Sequence, residues 1–279
     1  MTNGSGNTVS VIDGATNTVV STILVGSAPY GVGVNSSTNR IYVGNGNSNT
    51  VSVIDGATNT VTATISVGSH PYDVGVNSST NRIYVTNAGG NTVSVIDGAT
   101  NTVTATISVG SYPYVVGVNS STNRIYVTNS QSNTVSVIDG ATNTVTSTIS
   151  VGNYPWGVGV NSSTNRIYVA NWNSNTVSVI DGATNTVLST VSVGSSPAGV
   201  GVNSSTNRIY VANATSNTVS VIEDSPSLPP TVTTSSATNV TSSSATLNGT
   251  VNANGASTRH GSSMAQRVGL IAVRQPHRV

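Results

Sequence analysis

One phrase recurs through the chain at a fixed interval. NTVSVI begins at residues 7, 49, 91, 133, 175 and 217, and NSSTNRIYV at 35, 77, 119, 161 and 203. Between them TV..T..VG recurs from residue 18. The period is 42 residues without slippage. A period of that length marks an array of supersecondary units, none of which can bury its apolar face except against the next copy.

Each unit divides into four apolar runs separated by turn residues. From Pro71 these are YDVGV, RIYVTN, TVSVI and TVTATISV, divided by NSSTN, AGGN and DGATN. Val93 and Val95 fall on one face of a strand and Ser94 on the other, the period-2 pattern of a half-buried strand. Val, Ile, Thr and Tyr favour strands, whereas Asn, Gly, Asp and Ser favour turns. Four short strands in about 42 residues is the spacing of a β-propeller blade. The expected fold is all-β: a propeller of four-stranded antiparallel blades, five complete or nearly so plus a partial one. From the axis outward, strand A carries VGVN, B carries RIYV, C carries TVSVI and D carries TV..TI.V.

RIYVTN, NTVSVID, TV..TI.VG and P..VGVN together resemble the YVTN β-propeller repeat family, over residues 1 to about 223. That family is typified by cell-surface and surface-layer proteins, notably of methanogenic archaea, in rings of generally about seven blades. The resemblance implies a propeller and a surface location, but not an activity, because function resides in sites grafted on a fold.

Complete blades begin near Pro29, Pro71, Pro113 and Pro155; the unit from Pro197 loses strand D to EDSPSLPP. Thr2 and Asn3 match the end of a B strand, so the chain starts inside a blade. Two arrangements follow. The first D strand, TVVSTILV, completes the last blade and closes a five-bladed ring, or the blades form an open arc cut from a larger ring, which the start favours. An arc leaves two faces and two edges that invite self-association. Residues 224–230 read as a Pro/Ser linker. Residues 231–258 resemble the opening of a truncated fibronectin type III-like or immunoglobulin-like domain, and 259–279 form a basic tail, disordered or frameshifted. For the frameshift, the codons CGG CAT GGT TCG AGT ATG GCA, preceded by an A and regrouped by one base, encode Thr-Ala-Trp-Phe-Glu-Tyr-Gly, a continuation of such a domain; the gene sequence tests this.

Composition excludes several functions. Charged residues make up 6% of the chain and the net charge is +1, leaving no electrostatic footprint for nucleic acid or an anionic membrane. With no Cys, thiolate chemistry is excluded. No apolar run approaches the roughly 20 residues of a membrane helix. No signal peptide is readable, so an extracellular location requires one upstream. A chain rich in Asn, Ser and Thr and poor in charge fits a surface protein.

No catalytic or metal constellation is readable, and no cofactor is expected. His70, His260 and His277 are scattered, whereas zinc needs three or four ligands. Asp13, Asp55, Asp97, Asp139, Asp181 and Glu223 form a series, either a ring of acids for a cation or turn residues accepting local backbone hydrogen bonds; a group copied into every blade serves the blade. Arg40, Arg82, Arg124, Arg166 and Arg208 either pair with a carboxylate or cover a neighbouring turn. Asp73 occurs in one blade alone. Asn35, Asn77, Asn119, Asn161 and Asn203 begin N-glycosylation sequons, as do Asn3, Asn213, Asn239 and Asn248; the competing reading of NSSTN is a side-chain-capped turn.

The copies differ in two places, the D-to-A link and the B-to-C loop. Alternating strand direction puts both on one rim and the constant turns NSSTN and DGATN on the other. Tyr30, His70, Tyr72, Tyr112, Tyr114, Tyr154, Trp156 and Trp172 all fall on the variable rim. Loops on a rigid scaffold concentrate binding residues, and Tyr and Trp offer rigid contact area; alternatively these rings cap the inter-blade core. Tyr42, Tyr84, Tyr126, Tyr168 and Tyr210 are constant and are expected between blades. The leading expectation is a non-catalytic surface propeller binding a cell-envelope glycan or surface protein through this face. The alternatives are an architectural spacer and an enzyme, lactonase-like or a metal-assisted lyase.

Overall fold

The repeat folds as its spacing requires. In a computed structural model, residues 1–224, 231–241, 244 and 246–252 are described. They contain β-strands and one short 3-10 turn at Gly4–Gly6. The first sheet holds β1 (Thr2–Asn3), β2 (Thr8–Asp13) and β3 (Thr18–Leu24). Four complete blades follow: β4–β7 (Pro29–Asn35, Arg40–Asn45, Thr50–Asp55, Thr60–Ser66), β8–β11 (Pro71–Asn77, Arg82–Asn87, Thr92–Asp97, Thr102–Ser108), β12–β15 (Pro113–Asn119, Arg124–Asn129, Thr134–Asp139, Thr144–Ser150) and β16–β19 (Pro155–Asn161, Arg166–Asn171, Thr176–Asp181, Thr186–Ser192). The last sheet is β20 (Pro197–Asn203), β21 (Arg208–Asn213) and β22 (Thr218–Glu223). Within each blade the strands pair in chain order, antiparallel throughout. This is a β-propeller built as an open arc. β3 stays paired with β2 and lies at an edge of the first sheet, while β22 is an edge of the last; the alternative in which β3 completes the last blade is not adopted.

Alternation places each strand's two faces in two different cores. Tyr84, Val93 and Val95 pack with Val116, Ile125, Val127 and Ile138 of the next blade. Ile83, Val85 and Ile96 point the other way, onto Tyr42, Val51 and Val53 of the blade before. The layer repeats through the arc and begins at the first sheet, where Val9 and Ile23 meet Val43 and Ile54. The ends show what each interface covers: Tyr84 and Val95 are 0% exposed, whereas their counterparts Tyr210 and Val221 are 39% and 53% exposed. Fully burying one such side chain contributes about 2–3 kcal/mol.

Two polar ladders run with these layers. Asn35, Asn77, Asn119 and Asn161 each donate from Nδ2 to the Oδ1 of Asn81, Asn123, Asn165 and Asn207 in the next blade, at 2.8–3.0 Å. The four donors are fully buried. These four asparagines begin the sequons noted in the sequence. The nitrogen a glycan would need is committed to the neighbouring blade and shielded from solvent. Asn203, which has no following blade, is exposed. Asn3 and Asn213 bond Thr and Ser of their own sheets, and Asn239 is exposed. The side chain of Asn248 lies outside the described residues.

The second ladder is the Asn of YVTN. Asn87 donates to Thr92 and Ser94, and a Cβ at Gly68 would lie 2.6 Å from its side chain, so the VG glycine leaves the room this Asn occupies. On the constant rim, Asp13, Asp55, Asp97, Asp139 and Asp181 accept the backbone N–H groups two and three residues on. They are turn caps. The same bonds hold the carboxyls of Asp13, Asp55, Asp97 and Asp139 below their ordinary value.

The propeller unit ends at Asp224, one residue inside the segment read as a linker. Its N–H donates to the Asn207 carbonyl at 2.8 Å, the bond that Gly56, Gly98, Gly140 and Gly182 make in the other blades. Residues 225–230 and the tail 259–279, with its frameshift reading, lie outside the described residues. In the second unit, β23 (Thr231–Thr238) and β24 (Thr246–Asn252) form an antiparallel hairpin.

Candidate binding face

The variable rim is one continuous surface. Its two loops hydrogen-bond to each other within each blade: Gly46 N–H to the Ala28 carbonyl, Ala88 to His70, Ser130 to Tyr112 and Trp172 to Tyr154, at 2.8–3.0 Å. The constant turns pair likewise at the opposite rim, as Gly98 N–H does with the Asn81 carbonyl.

Two backbone devices aim the side chains of this rim. The residue before each blade-opening proline is left-handed: Ala28, His70, Tyr112, Tyr154 and Ser196 have φ of 54–56°, a sparsely populated region for bulky residues. Each of their N–H groups donates to an Asn Oδ1, from Asn7, Asn49, Asn91, Asn133 and Asn175, at 2.8–3.0 Å. Those asparagines hold the strained link in place. The second device is a bulge near the start of each A strand, between Pro29 and Val32 and at the equivalent points of the next blades. Bulges re-aim side chains, and Tyr30, Tyr72, Tyr114 and Trp156 occupy this one.

Spaced 42 residues apart, these four rings form a column across successive blades. Tyr30 and Tyr72 stack with centroids 5.1 Å apart, Tyr72 and Tyr114 lie 4.0 Å apart, and Tyr114 meets Trp156 edge-on at 4.5 Å. The next copy is Ala198, and the column instead ends on Trp172, stacked on Trp156 at 4.6 Å. His70, Tyr112 and Tyr154 flank it at 5.6–6.0 Å. All eight aromatic and His residues singled out from the sequence therefore join one cluster. Tyr114 is buried at its centre, Tyr30 is 40% exposed, and the remainder are half-buried. Burial pushes the Tyr114 and Tyr72 hydroxyls up, and their mutual hydrogen bond raises Tyr114 further while lowering Tyr72.

Part of the rim variation is coupled packing. Thr86 accepts the Asp73 N–H at 2.9 Å and donates to the Tyr114 carbonyl at 2.8 Å; Thr128 links Val115 and Trp156 in the same way. Where the A-strand residue is Gly31 or Gly157, the B-strand position holds Gly44 or Ala170. There a Cβ would come within 2.7 Å of the Tyr72 carbonyl or 2.0 Å of the Ala198 carbonyl.

At the first-sheet end of the column lies a cleft of about 460 Å³, lined by Thr2, Gly4, Pro29, Tyr30, Gly31, Tyr72, Asp73 and Val115. Asp73 Oδ2 accepts the Val116 N–H at 3.0 Å. Burial raises the Asp73 carboxyl above its ordinary value, against hydrogen bonds that lower it. Among the described residues, no three of His, Cys, Asp and Glu come together as a metal site.

On the opposite rim, Asp224 was missed by reading the sequence. It stands at the repeat position of Gly98, Gly140 and Gly182. Its Oδ1 pairs with Arg166 Nη1 at 2.6 Å, and Oδ2 accepts from Asn161 at 2.8 Å and from Thr164. The carboxylate also hydrogen-bonds Tyr168, whose hydroxyl is pushed up by burial and then by this charge. In two other interfaces the equivalent hydroxyls of Tyr84 and Tyr126 are buried with no hydrogen-bond partner. Arg40 instead donates to the Gly98 carbonyl at 3.0 Å, Arg82 to Thr104 and Arg124 to Thr146. Arg208 meets Glu223 at 3.3 Å in the open.

Comparison with known proteins agrees with the architecture. The NHL repeat family model, a β-propeller repeat, matches residues 153–180. No curated protein matches the chain. Among solved structures, a functionally unknown protein from Desulfotomaculum acetoxidans aligns with a TM-score of 0.70 at 17% identity, over 80% of this chain and 77% of that one. A Kuenenia stuttgartiensis hydrazine synthase chain aligns with a TM-score of 0.55 at 18% identity, over 80% of this chain and 91% of that one. At these identities the likeness is one of fold: the chain is a repeat β-propeller.

Proposed function

We propose that the chain is a non-catalytic, extracellular or cell-surface β-propeller of the YVTN type, followed by a fibronectin type III-like segment, and that its aromatic rim binds a cell-envelope glycan or a surface protein. The observation that carries this reading is the column from Tyr30 to Trp172. Every blade uses the same strained link and the same bulge, yet only some positions carry rings, and all of those rings meet on one face. A face rich in half-exposed Tyr and Trp and poor in charge suits the apolar faces of sugar rings or a low-charge peptide surface. The two ends of the arc present apolar side chains that interior blades bury, Val219 and Val221 on one side and Ile12 on the other; self-association through them belongs to the same reading.

A glycan array probed with the wild-type protein and with Trp156→Ala and Trp172→Ala tests it. A specific glycan signal, abolished by either substitution in a folded variant, supports a glycan-binding rim. Binding of a surface protein lost in the same variants supports the protein arm. Binding indifferent to both substitutions refutes the rim as the contact face, and turnover of lactone substrates refutes the non-catalytic assignment.

A further inference from the structure

Asp73 is the one carboxylate on the rim that no repeat-level role explains. Its counterparts are Gly31, Val115, Gly157 and Gly199. The other series acids cap turns, and Asp224 and Glu223 pair with Arg166 and Arg208. Among the described residues no arginine pairs with Asp73. Its Oδ2 accepts the Val116 N–H, and the carboxylate also accepts the Val74 N–H. Its Oδ1 lies toward Gly31, where an added methyl would stand 2.8 Å from Oδ1 and 2.5 Å from the Asp73 Cα. Glycine at residue 31 therefore leaves the room this carboxylate occupies, and both residues line the cleft.

The cleft walls are chemically specific. Tyr30 and Tyr72 stack at one side, Pro29 and Val115 add apolar surface, and Asp73 is the sole carboxylate among the lining residues. A partly buried carboxylate without a counter-ion favours a cation. A single carboxylate is too few ligands for calcium or zinc, which take several oxygen or nitrogen donors. Aromatic walls beside a carboxylate match an ammonium group carrying an apolar substituent, through ion pairing and cation–π attraction.

We propose that this cleft binds an organic ammonium ion, its charged head on Asp73 and its apolar substituent against Tyr30 and Tyr72. The inference deepens the reading of this rim as a binding face, and rests on that reading. A free amine or an amino group on a larger partner would present the same chemistry.

The test is an NMR titration of the full chain with benzylammonium, its neutral isostere benzyl alcohol and benzoate, following the backbone amides of Tyr30, Tyr72, Asp73 and Val116. Benzylammonium is expected to move these amides and to bind about tenfold or more tightly than benzyl alcohol, with benzoate leaving them unmoved. In Asp73→Asn the preference for benzylammonium disappears; in Tyr72→Leu its binding weakens. Equal affinity for benzylammonium and benzyl alcohol in the wild type, shifts confined to other residues, or no shift at all overturns the proposal without recourse to any variant. The titration is read on the wild-type chain and the glycan array on Trp156→Ala and Trp172→Ala, so failure of the macromolecular reading and failure of the ammonium site are separately visible.

Discussion

Replacing Asp224 with glycine restores the residue that the equivalent turns carry at 56, 98, 140 and 182, so the perturbation has four internal controls. The carboxylate is fully buried and receives Arg166 at 2.6 Å, Asn161 at 2.8 Å, Thr164 and Tyr168. Removing one partner of a buried ion pair costs roughly 3–5 kcal/mol when the other is stranded. Arg166 is not stranded: its side chain is 20% exposed, and although the threonine used by Arg82 and Arg124 is Leu188 in this blade, the equivalent Arg40 donates to the backbone carbonyl of Gly98, a carbonyl that residue 224 keeps as glycine. The loss is therefore that of a few charged hydrogen bonds partly replaced, about 2 kcal/mol. It falls on the last sheet, which has one neighbour. Urea unfolding is expected to show that loss, and hydrogen exchange to show protection falling first in β20–β22. Glu223→Gln is the control. Its pair with Arg208 is exposed on both sides, and its removal is expected to change stability by less than about 0.5 kcal/mol. If Asp224→Gly is indistinguishable from Glu223→Gln in stability and in exchange, the clamp has no energetic role and the reasoning fails.

Further outcomes follow from the same structure. Tyr84→Phe removes a buried hydroxyl without a partner and is expected to be neutral or stabilising by up to about 1 kcal/mol, whereas Tyr168→Phe loses a bond to Asp224 and costs about 1 kcal/mol; parallel denaturant curves decide. The turn carboxyls of Asp13, Asp55, Asp97 and Asp139 lie lower folded than their unfolded value of 3.8, so folding favours their ionised form. Their contribution is complete above that value and is lost as pH falls through the folded one; Tm is expected to hold from neutral pH and fall below about pH 4. Asp73 runs the other way, since its ionised form is disfavoured by burial; Asp73→Asn is expected to raise Tm at neutral pH while losing the ammonium preference, a trade of function against stability. Treating the folded chain with an N-glycosyltransferase and mapping peptides is expected to show modification at Asn203 and Asn239 and none at Asn35, Asn77, Asn119 or Asn161.

The blade was legible because period and alternation agree at every copy. Tyr84 and Val95 could be assigned to an inter-blade layer from spacing alone. The rim was legible as well, since alternating strand direction fixes which loops share an edge. The mutual stacking of its rings was not, because it depends on the bulge after each proline. A left-handed His70 or Tyr112 before proline also runs against local preference and is imposed by Asn49 and Asn91 from the neighbouring loop. The burial of the sequon asparagines could not be read, because NSSTN gives the same local pattern whether or not a further blade covers it. Asn77 and Asn203 carry identical sequence but opposite burial. Asp224 was obscured by the prolines that follow it, which place it in a linker by composition although its N–H repeats the turn bond of every earlier blade.

Face-to-face packing of successive modules is the premise on which the rim, the cleft and the clamp all depend. The most direct measurement is a set of NOEs in methyl-labelled protein from the Tyr84 ring. Cross-peaks to the methyls of Ile125 and Ile138, one module further along the chain, are the expected result. Cross-peaks confined to the valines and isoleucines of the Tyr84 module itself would show that the sheets do not stack, and would contradict the account.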